Sequence, residues 1–299
     1  MRNNLLLWAA ALIALAACSR ESEFPKDRTG STWKEGRAAR DHTISQDYLF
    51  TGIQEGDERG TRTVLDTDGA TVLWNPGDKI NIFHDGSDPA EFTNINKDVN
   101  AVATFSGTIT THIITGGSEG SNLNAHYYWG LYPYNADASY EDGVIITTLP
   151  SEQTAVAGSF ADDLFIAIGR SGDTDMPFYN VCSGIKFSLD RSDIRKVTFT
   201  ADGGQPIAGK FSVGFDEQTG KPAVKEILEG TSTITLSPAS GEYFEADTWY
   251  YVVTLPQTLE NKDGGFTFTF TMEGDENLAP IRMRSKATLT LNRSKFRKT

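Results

Sequence analysis

Ser118 is the residue that comes closest to a catalytic motif. Gly116-Gly117-Ser118-Glu119-Gly120 fits the pattern G-x-S-x-G, in which a serine at a sharp turn is the nucleophile of a hydrolase. That turn needs a strand before it and a helix after it, whereas Ser121-Asn122-Leu123-Asn124 leads into a predicted strand. The pattern therefore predicts a loop. We expect no catalytic residue here and no enzyme activity.

The possible metal ligands are too scattered to form a site. Asp66-Thr67-Asp68-Gly69 begins like a calcium loop, but its glycine is at the fourth position instead of the sixth and no glutamate follows at the twelfth. These turn-forming residues instead predict a hairpin. The histidines stand singly, at none of the spacings of a zinc site: His42, His84, His112 and His126. We expect neither a metal ion nor another cofactor.

Cys18 is the residue for which the sequence supports a definite chemistry. Met1-Arg2-Asn3-Asn4 is a basic start, the apolar run Leu5–Ala14 follows it, and Leu15-Ala16-Ala17-Cys18 resembles the bacterial lipobox. The apolar run is too short to span roughly 30 Å of hydrocarbon, so it predicts a cleaved signal over residues 1–17. By the resemblance, the Cys18 thiol takes a diacylglycerol and its freed amine a third acyl chain. An ordinary secretory signal with an incidental Cys18 is the alternative.

Cys182 is the other cysteine, and it lies in the apolar run Phe178–Phe187. If Cys18 carries lipid, Cys182 has no partner for a disulfide, and no histidine is close to it in the sequence to activate a thiolate. The sequence therefore favours an inert, buried thiol over a nucleophile.

Length and charge limit the class of protein. The chain has 299 residues, with 27 Lys and Arg against 40 Asp and Glu, and a formal charge of −13. The length predicts two globular domains at roughly 150 residues each. With 17 Phe, 10 Tyr and 5 Trp, the chain has enough apolar surface to exclude a disordered protein. The acid excess argues against a nucleic acid partner, because phosphates are bound by clustered Lys and Arg.

The arrangement along the chain predicts an all-β protein behind a tether. Residues 18–44 carry Cys18 and many charges, and they predict a flexible tether. Later, phenylalanine and threonine alternate in strand-like fashion over 266–271. Short strands of this kind, separated by turns, predict β-sandwiches, with one domain over 45–172 and another over 173–299.

Four segments together resemble the fimbrillin-like (Mfa-like) proteins of type V pili. They are Thr61–Asp66 running into Val72–Ile80, Tyr128–Tyr134, Leu149–Thr154 and Phe178–Phe187. The resemblance covers residues 45–296. It implies two tandem transthyretin-like β-sandwich domains in a lipoprotein that is held in the outer membrane through Cys18 and exposed at the surface or in a fimbrium. It also implies a pilus subunit or accessory protein in adhesion, with other pilin-like subunits or host and bacterial surface ligands as partners.

The resemblance further implies assembly by strand exchange, in which a protease removes the first strand and a partner's strand replaces it. The predicted first strand is Gln46–Ile53, and its groove-filling side chains are expected to be Tyr48, Leu49, Phe50 and Ile53. Arg59 is the first candidate for cleavage, because its loop is polar and contains glycine, and Arg62 is the second. Both are equally well interpreted as ordinary surface arginines.

The carboxyl-terminal sequence departs from this pattern. The last predicted strand, Ala287–Leu291, is followed by the short basic segment Asn292–Thr299. Relatives commonly continue for another strand or more, so the segment favours an accessory or non-polymerising surface protein over a stalk subunit. A truncated gene product is the alternative.

A glycan-binding or adhesin lipoprotein that does not polymerise is the alternative function. Its support is a set of aromatic residues suited to stacking on sugars: Trp74, Tyr127, Tyr128, Trp129, Tyr132, Tyr134, Trp249, Tyr250 and Tyr251. Alternation places Tyr127, Trp129 and Leu131 on one face, which is more typical of a core. Exposed, coplanar rings would favour glycan binding, whereas buried rings and a groove under the first strand would favour strand exchange.

Overall fold

The computed structural model of the protein describes residues 41–55, 73–114, 127–239, 243–260, 264–272 and 279–298. Within these ranges the chain forms 22 strands and no helix, so the predicted all-β class is confirmed. The strands are β1 (Asp41–Gln54), β2 (Lys79–Phe83), β3 (Ala90–Asn94), β4 (Val102–Ile114), β5 (Tyr128–Tyr132), β6 (Ser139–Glu141), β7 (Val144–Leu149), β8 (Glu152–Val156), β9 (Ser159–Phe160), β10 (Ala167–Ser171), β11 (Asp175–Asn180), β12 (Ser183–Ser188), β13 (Ile194–Ala201), β14 (Ala208–Phe215), β15 (Pro222–Thr231), β16 (Thr233–Pro238), β17 (Trp249–Thr254), β18 (Gln257–Leu259), β19 (Phe266–Met272), β20 (Ile281–Ser285), β21 (Leu289–Leu291) and β22 (Phe296–Lys298).

Seven strands close into a barrel in the order β1-β11-β10-β5-β2-β3-β4, with β4 pairing back onto β1. Alternation along each strand turns one set of side chains inward. The barrel core contains Trp74, Phe92, Phe105 and Phe178, all fully buried. The Trp74 ring meets the Phe105 ring edge-on at 5.0 Å and the Phe178 ring edge-on at 5.3 Å. Such contacts favour one arrangement of the core over others.

The outer face of the barrel is also buried, on the side formed by β5 and β10. Trp129 and Leu131 of β5 and Ile168 of β10 belong to a second apolar cluster that extends to Leu291. The other strands of this cluster form sheets in the orders β17-β12-β22, β20-β19-β13-β16-β8-β9, β15-β14-β7-β6 and β18-β21. Strands β5 and β10 therefore separate two cores and contribute side chains to both.

The strand order interleaves the two halves of the chain. The predicted boundary at Gly172 falls in the turn between β10 and β11, and these strands pair with each other inside the barrel. Strands β7 and β8, which precede Gly172, pair with β14 and β16 from the later half. The sheets therefore do not separate at residue 172, because long-range pairing joins strands from both sides of it.

At both ends of the described chain, strands lie beyond the bounds that the sequence predicts. β1 begins at Asp41, inside the segment predicted as tether, because residues 41–44 continue the ladder with β4. At the other end, β22 adds to the edge of β12 in parallel, so Ala287–Leu291 is not the last strand. Phe296 holds β22 in place, since its ring lies 5.4 Å from that of Phe165 and 5.0 Å from that of Tyr251.

Candidate functional site: the first strand of the barrel

Strand β1 closes the barrel by pairing on both of its edges. It runs antiparallel to β4 from Asp41 opposite Ile114 to Ile53 opposite Val102. On the other edge, its last four residues run parallel to β11. The Thr51 amide donates to the Thr174 carbonyl at 2.8 Å, which starts this second ladder. Without β1, both β4 and β11 would have an open edge.

The four apolar residues predicted to fill a groove divide between the two faces of β1. Phe50 is 0% exposed and belongs to the barrel core, and Tyr48 is half-buried against that core. Leu49 is 58% exposed and Ile53 is 40% exposed, so these two point outward. The division follows from the period of two along a strand. The buried part of β1 therefore depends on the even-numbered residues.

Aromatic contacts hold Phe50 in the barrel. Its ring meets that of Phe92 edge-on at 5.2 Å and that of Tyr128 edge-on at 5.0 Å. Tyr48 extends this group, with its ring 5.9 Å from that of Tyr128. Edge-on geometry brings the positive rim of one ring to the negative face of the next. Phe50 is thus an anchor of β1 in the core.

Gly52 occupies a place in β1 that has no room for a side chain. A Cβ atom at residue 52 would stand 2.6 Å from Cε2 of Phe105 and 3.4 Å from Cζ2 of Trp74. Carbon atoms that are not bonded approach one another only to about 3.5 Å without repulsion. The backbone of β1 at Gly52 therefore lies directly against the aromatic core.

Glu55, the residue directly after β1, forms ion pairs that the sequence did not predict. Arg293 donates from Nη1 to Oε2 of Glu55 at 2.7 Å and from Nη2 to Oε1 at 3.0 Å. Lys221 donates from Nζ to Oε1 at 2.9 Å. The Glu55 side chain is 17% exposed. Two cations from the later half of the chain therefore bind one carboxylate at the end of the first strand.

The protonation of Glu55 follows from these contacts. Burial disfavours its charged form and raises its pKa, whereas hydrogen bonds from Arg293 and Lys221, with the charges of both, lower it. The second effect prevails, so the pKa of Glu55 lies below its ordinary value. Glu55 is therefore ionised at neutral pH, and the three groups form a charge-assisted network.

Asp78 is a second unusual carboxylate, in the turn that leads into β2. Its Oδ2 accepts from the amide of Asn75 at 2.7 Å, and Gly77 between them has a φ of +83°, which glycine adopts readily. Burial raises the pKa of Asp78; the Asn75 amide opposes this and the charge of Asp162 adds to it, giving a pKa of about 6. The Asn-Pro-Gly-Asp turn thus contains a carboxylate that resists ionisation.

Three predicted sites fall on residues beyond the described ranges. These are the lipidation site Cys18 and the processing candidates Arg59 and Arg62. They stay predictions, and so does the loop at Ser118. Cys182, by contrast, is described: it is fully buried, and burial raises the pKa of its thiol to about 12. A thiol of this kind is unreactive at neutral pH.

The aromatic residues proposed for sugar stacking lie mostly inside the protein. Of the nine rings named above, five are buried, namely Trp74, Trp129, Tyr132, Tyr250 and Tyr251. Tyr127 is 39% exposed, and the remaining three are partly buried. These nine residues therefore do not form an exposed platform of several rings. Their burial favours a structural role over glycan stacking.

The described ranges contain no group of three or more His, Cys, Asp and Glu residues placed to hold a metal ion. In the same ranges, no helix has the length and apolar character needed to cross a membrane.

No protein-family model and no curated protein matches the sequence. Among solved structures, a "putative cell adhesion protein" of Bacteroides ovatus is similar at 13% identity and a TM-score of 0.46, over 84% of this chain and 89% of that chain. One of the same description from Bacteroides thetaiotaomicron has 12% identity and a TM-score of 0.39, over 84% and 90%. The tip fimbrial protein Mfa3 of Porphyromonas gingivalis, truncated at its carboxyl terminus, has 7% identity and a TM-score of 0.35, over 81% of each chain. Because these TM-scores are below 0.5, the function proposed below rests on the chain's own sequence and geometry.

Proposed function

We propose that this chain is a cell-surface adhesion protein of the fimbrillin-like kind that assembles with partner subunits by exchanging its first strand. The observation that carries the proposal is the position of β1. This strand closes the barrel and buries Phe50 in its core, and a polar segment with two arginines follows it in the sequence. A cut after Arg59 would separate β1 covalently from the rest of the barrel.

The consequence of losing β1 follows from elementary physics. The unpaired edges of β4 and β11 would expose rows of N–H and C=O groups, and the apolar space that Phe50 fills in the core would be exposed to water. Burial of a large apolar side chain contributes about 1.5–3 kcal/mol, so an empty place of this kind favours association. An added strand restores both the hydrogen bonds and the apolar contacts, which is the physical basis of recognition by β-augmentation.

The proposed location depends on Cys18. Lipidation there would hold the protein in the outer membrane with its barrel and other sheets at the cell surface, and the predicted tether would separate them from the bilayer. At about 0.8 kcal/mol per buried CH₂, two or more acyl chains make such an anchor stable. The proposed partners are other pilin-like subunits or ligands on host or bacterial surfaces.

Limited cleavage with an arginine-specific protease tests the proposal. We expect cleavage at Arg59 or Arg62 in the folded protein, followed by association after the first strand is released. Mass spectrometry identifies the cut, because Arg37 and Arg40 in the tether are also expected to be cleaved. Light scattering on the separated product measures association. If the product with β1 removed stays a monomer of unchanged stability, strand exchange is wrong.

A further inference from the structure

We propose that the place of β1 in the barrel selects partner strands that carry an aromatic residue, a glycine two residues later and a carboxylate three residues after that. In this chain the pattern is Phe50, Gly52 and Glu55. The inference rests on the strand exchange proposed above and specifies its partner: an extended segment of another chain with the sequence aromatic-x-Gly-x-x-Asp/Glu.

The carboxylate requirement comes from what cleavage would leave behind. Glu55 precedes Arg59, so it would depart with β1, whereas Arg293 and Lys221 belong to the part that stays. The two cations bind the same oxygen of Glu55, at 3.0 and 2.9 Å. After the loss of Glu55, two positive groups would face each other without the carboxylate that now joins them. Partly buried cations in this arrangement favour an incoming carboxylate.

The two cations also have contacts that keep them in position without Glu55. Arg293 donates from Nη1 to the Asn180 carbonyl at 2.6 Å. The Lys221 ammonium lies over the Tyr179 ring, 4.2 Å from its centroid. Both contacts are made with the last two residues of β11, next to the place of β1. The carboxylate site is therefore built largely from groups that strand exchange would not remove.

The aromatic and glycine requirements come from the barrel interior. The residue at the position of Phe50 fills the space between the Phe92 and Tyr128 rings. Two residues later, the Phe105 ring excludes any Cβ atom at the position of Gly52. A large side chain at the first position and the absence of a side chain at the second together fix the register. A strand shifted by one residue would place its side chains on the opposite face.

The printed sequence contains this pattern once, at residues 50–55. The carboxyl-terminal strand β22 begins with an aromatic residue, Phe296, but continues with Arg297 and Lys298. Placed in the same register, it would lack the glycine and bring further positive charge toward Arg293 and Lys221. We therefore expect the incoming strand to be the matching segment of another chain, not the β22 segment of a second copy.

Competition by synthetic peptides tests the selection. The protein is cut with the arginine-specific protease and mixed with a fluorescent peptide of residues 45–55, and uptake is followed by anisotropy at low and high salt. The peptide changes are Glu55→Gln, Gly52→Val and Phe50→Ala, and the matched controls on the exposed face are Asp47→Asn and Leu49→Ala. Because the changes are confined to the peptide, the folding of the protein is unaffected.

We expect Glu55→Gln to bind at least about tenfold more weakly than the unchanged peptide, since a charge-assisted bond contributes at least as much as one tenfold step. Its binding should also depend less on salt. Gly52→Val and Phe50→Ala should fail to displace β1, whereas both controls should bind within about twofold of the unchanged peptide. Equal binding of the unchanged and Glu55→Gln peptides would overturn the carboxylate selection alone. No uptake of any peptide would overturn strand exchange itself.

Discussion

Gln153 pairs with the backbone of Val253 as a neighbouring strand would. Its Nε2 donates to the Val253 carbonyl at 2.7 Å, and its Oε1 accepts from the Val253 amide at 3.0 Å. Gln153 is 4% exposed and lies in β8, whereas Val253 is in β17, at the edge of a different sheet. One side-chain amide thus satisfies both polar groups of an edge residue and joins the two sheets.

Gln153→Leu should therefore destabilise the protein strongly. The leucine side chain would occupy the place of the glutamine in the core, but it would leave the Val253 amide and carbonyl without their hydrogen-bond partner. Each unsatisfied buried group costs about 1–3 kcal/mol, so we expect a loss of about 3 kcal/mol in the free energy of unfolding. Urea denaturation measures it, with the exposed neighbour Glu152→Gln as the control. A loss equal to that of the control would contradict the structural role of Gln153.

Neighbouring substitutions in β1 test the direction of its side chains. Phe50→Ala should cost about 3–5 kcal/mol, because it leaves a cavity between the Phe92 and Tyr128 rings. Leu49→Ala should change stability by about 0.5 kcal/mol or less, because Leu49 is exposed. Both values come from denaturant titrations of the full chain. Equal effects would mean that β1 does not present its even-numbered side chains to the core.

Asp78 predicts a defined dependence of stability on pH. Its pKa is raised by burial from 3.8 to about 6, so the folded state binds this proton more tightly than the unfolded state. The stabilisation by the protonated form is complete below pH 3.8 and is lost as pH rises through about 6. Asp78→Asn stays neutral and keeps an oxygen for the Asn75 amide. It should match the wild-type protein near about pH 4 and exceed it near about pH 8.

The measurement for Asp78 is the urea midpoint of wild type and variant at both pH values. Asp137→Asn, a change at an exposed carboxylate, serves as the control for the loss of one negative charge. The control should differ from wild type by a similar small amount at each pH. A variant Asp78→Asn that is less stable than wild type at the higher pH would show that the carboxylate charge stabilises the turn.

Cys18→Ala should move the protein from the membrane fraction to the soluble fraction. The predicted anchor is the acyl group on this residue, and without a thiol no diacylglycerol can be attached. Metabolic labelling with a fatty-acid analogue, followed by immunoprecipitation, measures the acylation. Cys182→Ala is the matched control and should keep the label. Label retained by Cys18→Ala would contradict the lipobox interpretation.

The local sequence pattern predicted where strands lie better than it predicted which strands pair with each other. The predicted first strand Gln46–Ile53 lies within β1, and the alternation from Phe266 agrees with β19. These elements are set by neighbours in the sequence, through turn-forming residues and a period of two. Next to β10, the apolar residues 164–166 are buried outside any ladder, so apolar character alone does not define where a strand begins.

Relationships between distant residues were not predictable in this way. Glu55 and Arg293 are separated by 238 positions, and no local pattern marks either as a partner of the other. Phe296 is a similar case, because it lies in the basic segment after the last predicted strand and its pocket comes from the rings of Phe165 and Tyr251, which are distant in the sequence. The period of two places Leu49 and Ile53 on the outer face of β1, although both were expected to fill the groove. No local pattern indicated that β4 and β11 would flank the strand.

The length of the β1–β4 ladder also determines how the protein would respond to mechanical load. Thirteen residue pairs join these strands from Asp41 to Ile53. A pull on Asp41 along the strand axis would load these hydrogen bonds together, in shear, instead of opening them one after another from the end. If Cys18 carries the proposed lipid anchor, tension between the membrane and the barrel would pass through this ladder. The strand that the proposed cleavage would release would therefore also resist drag on the protein.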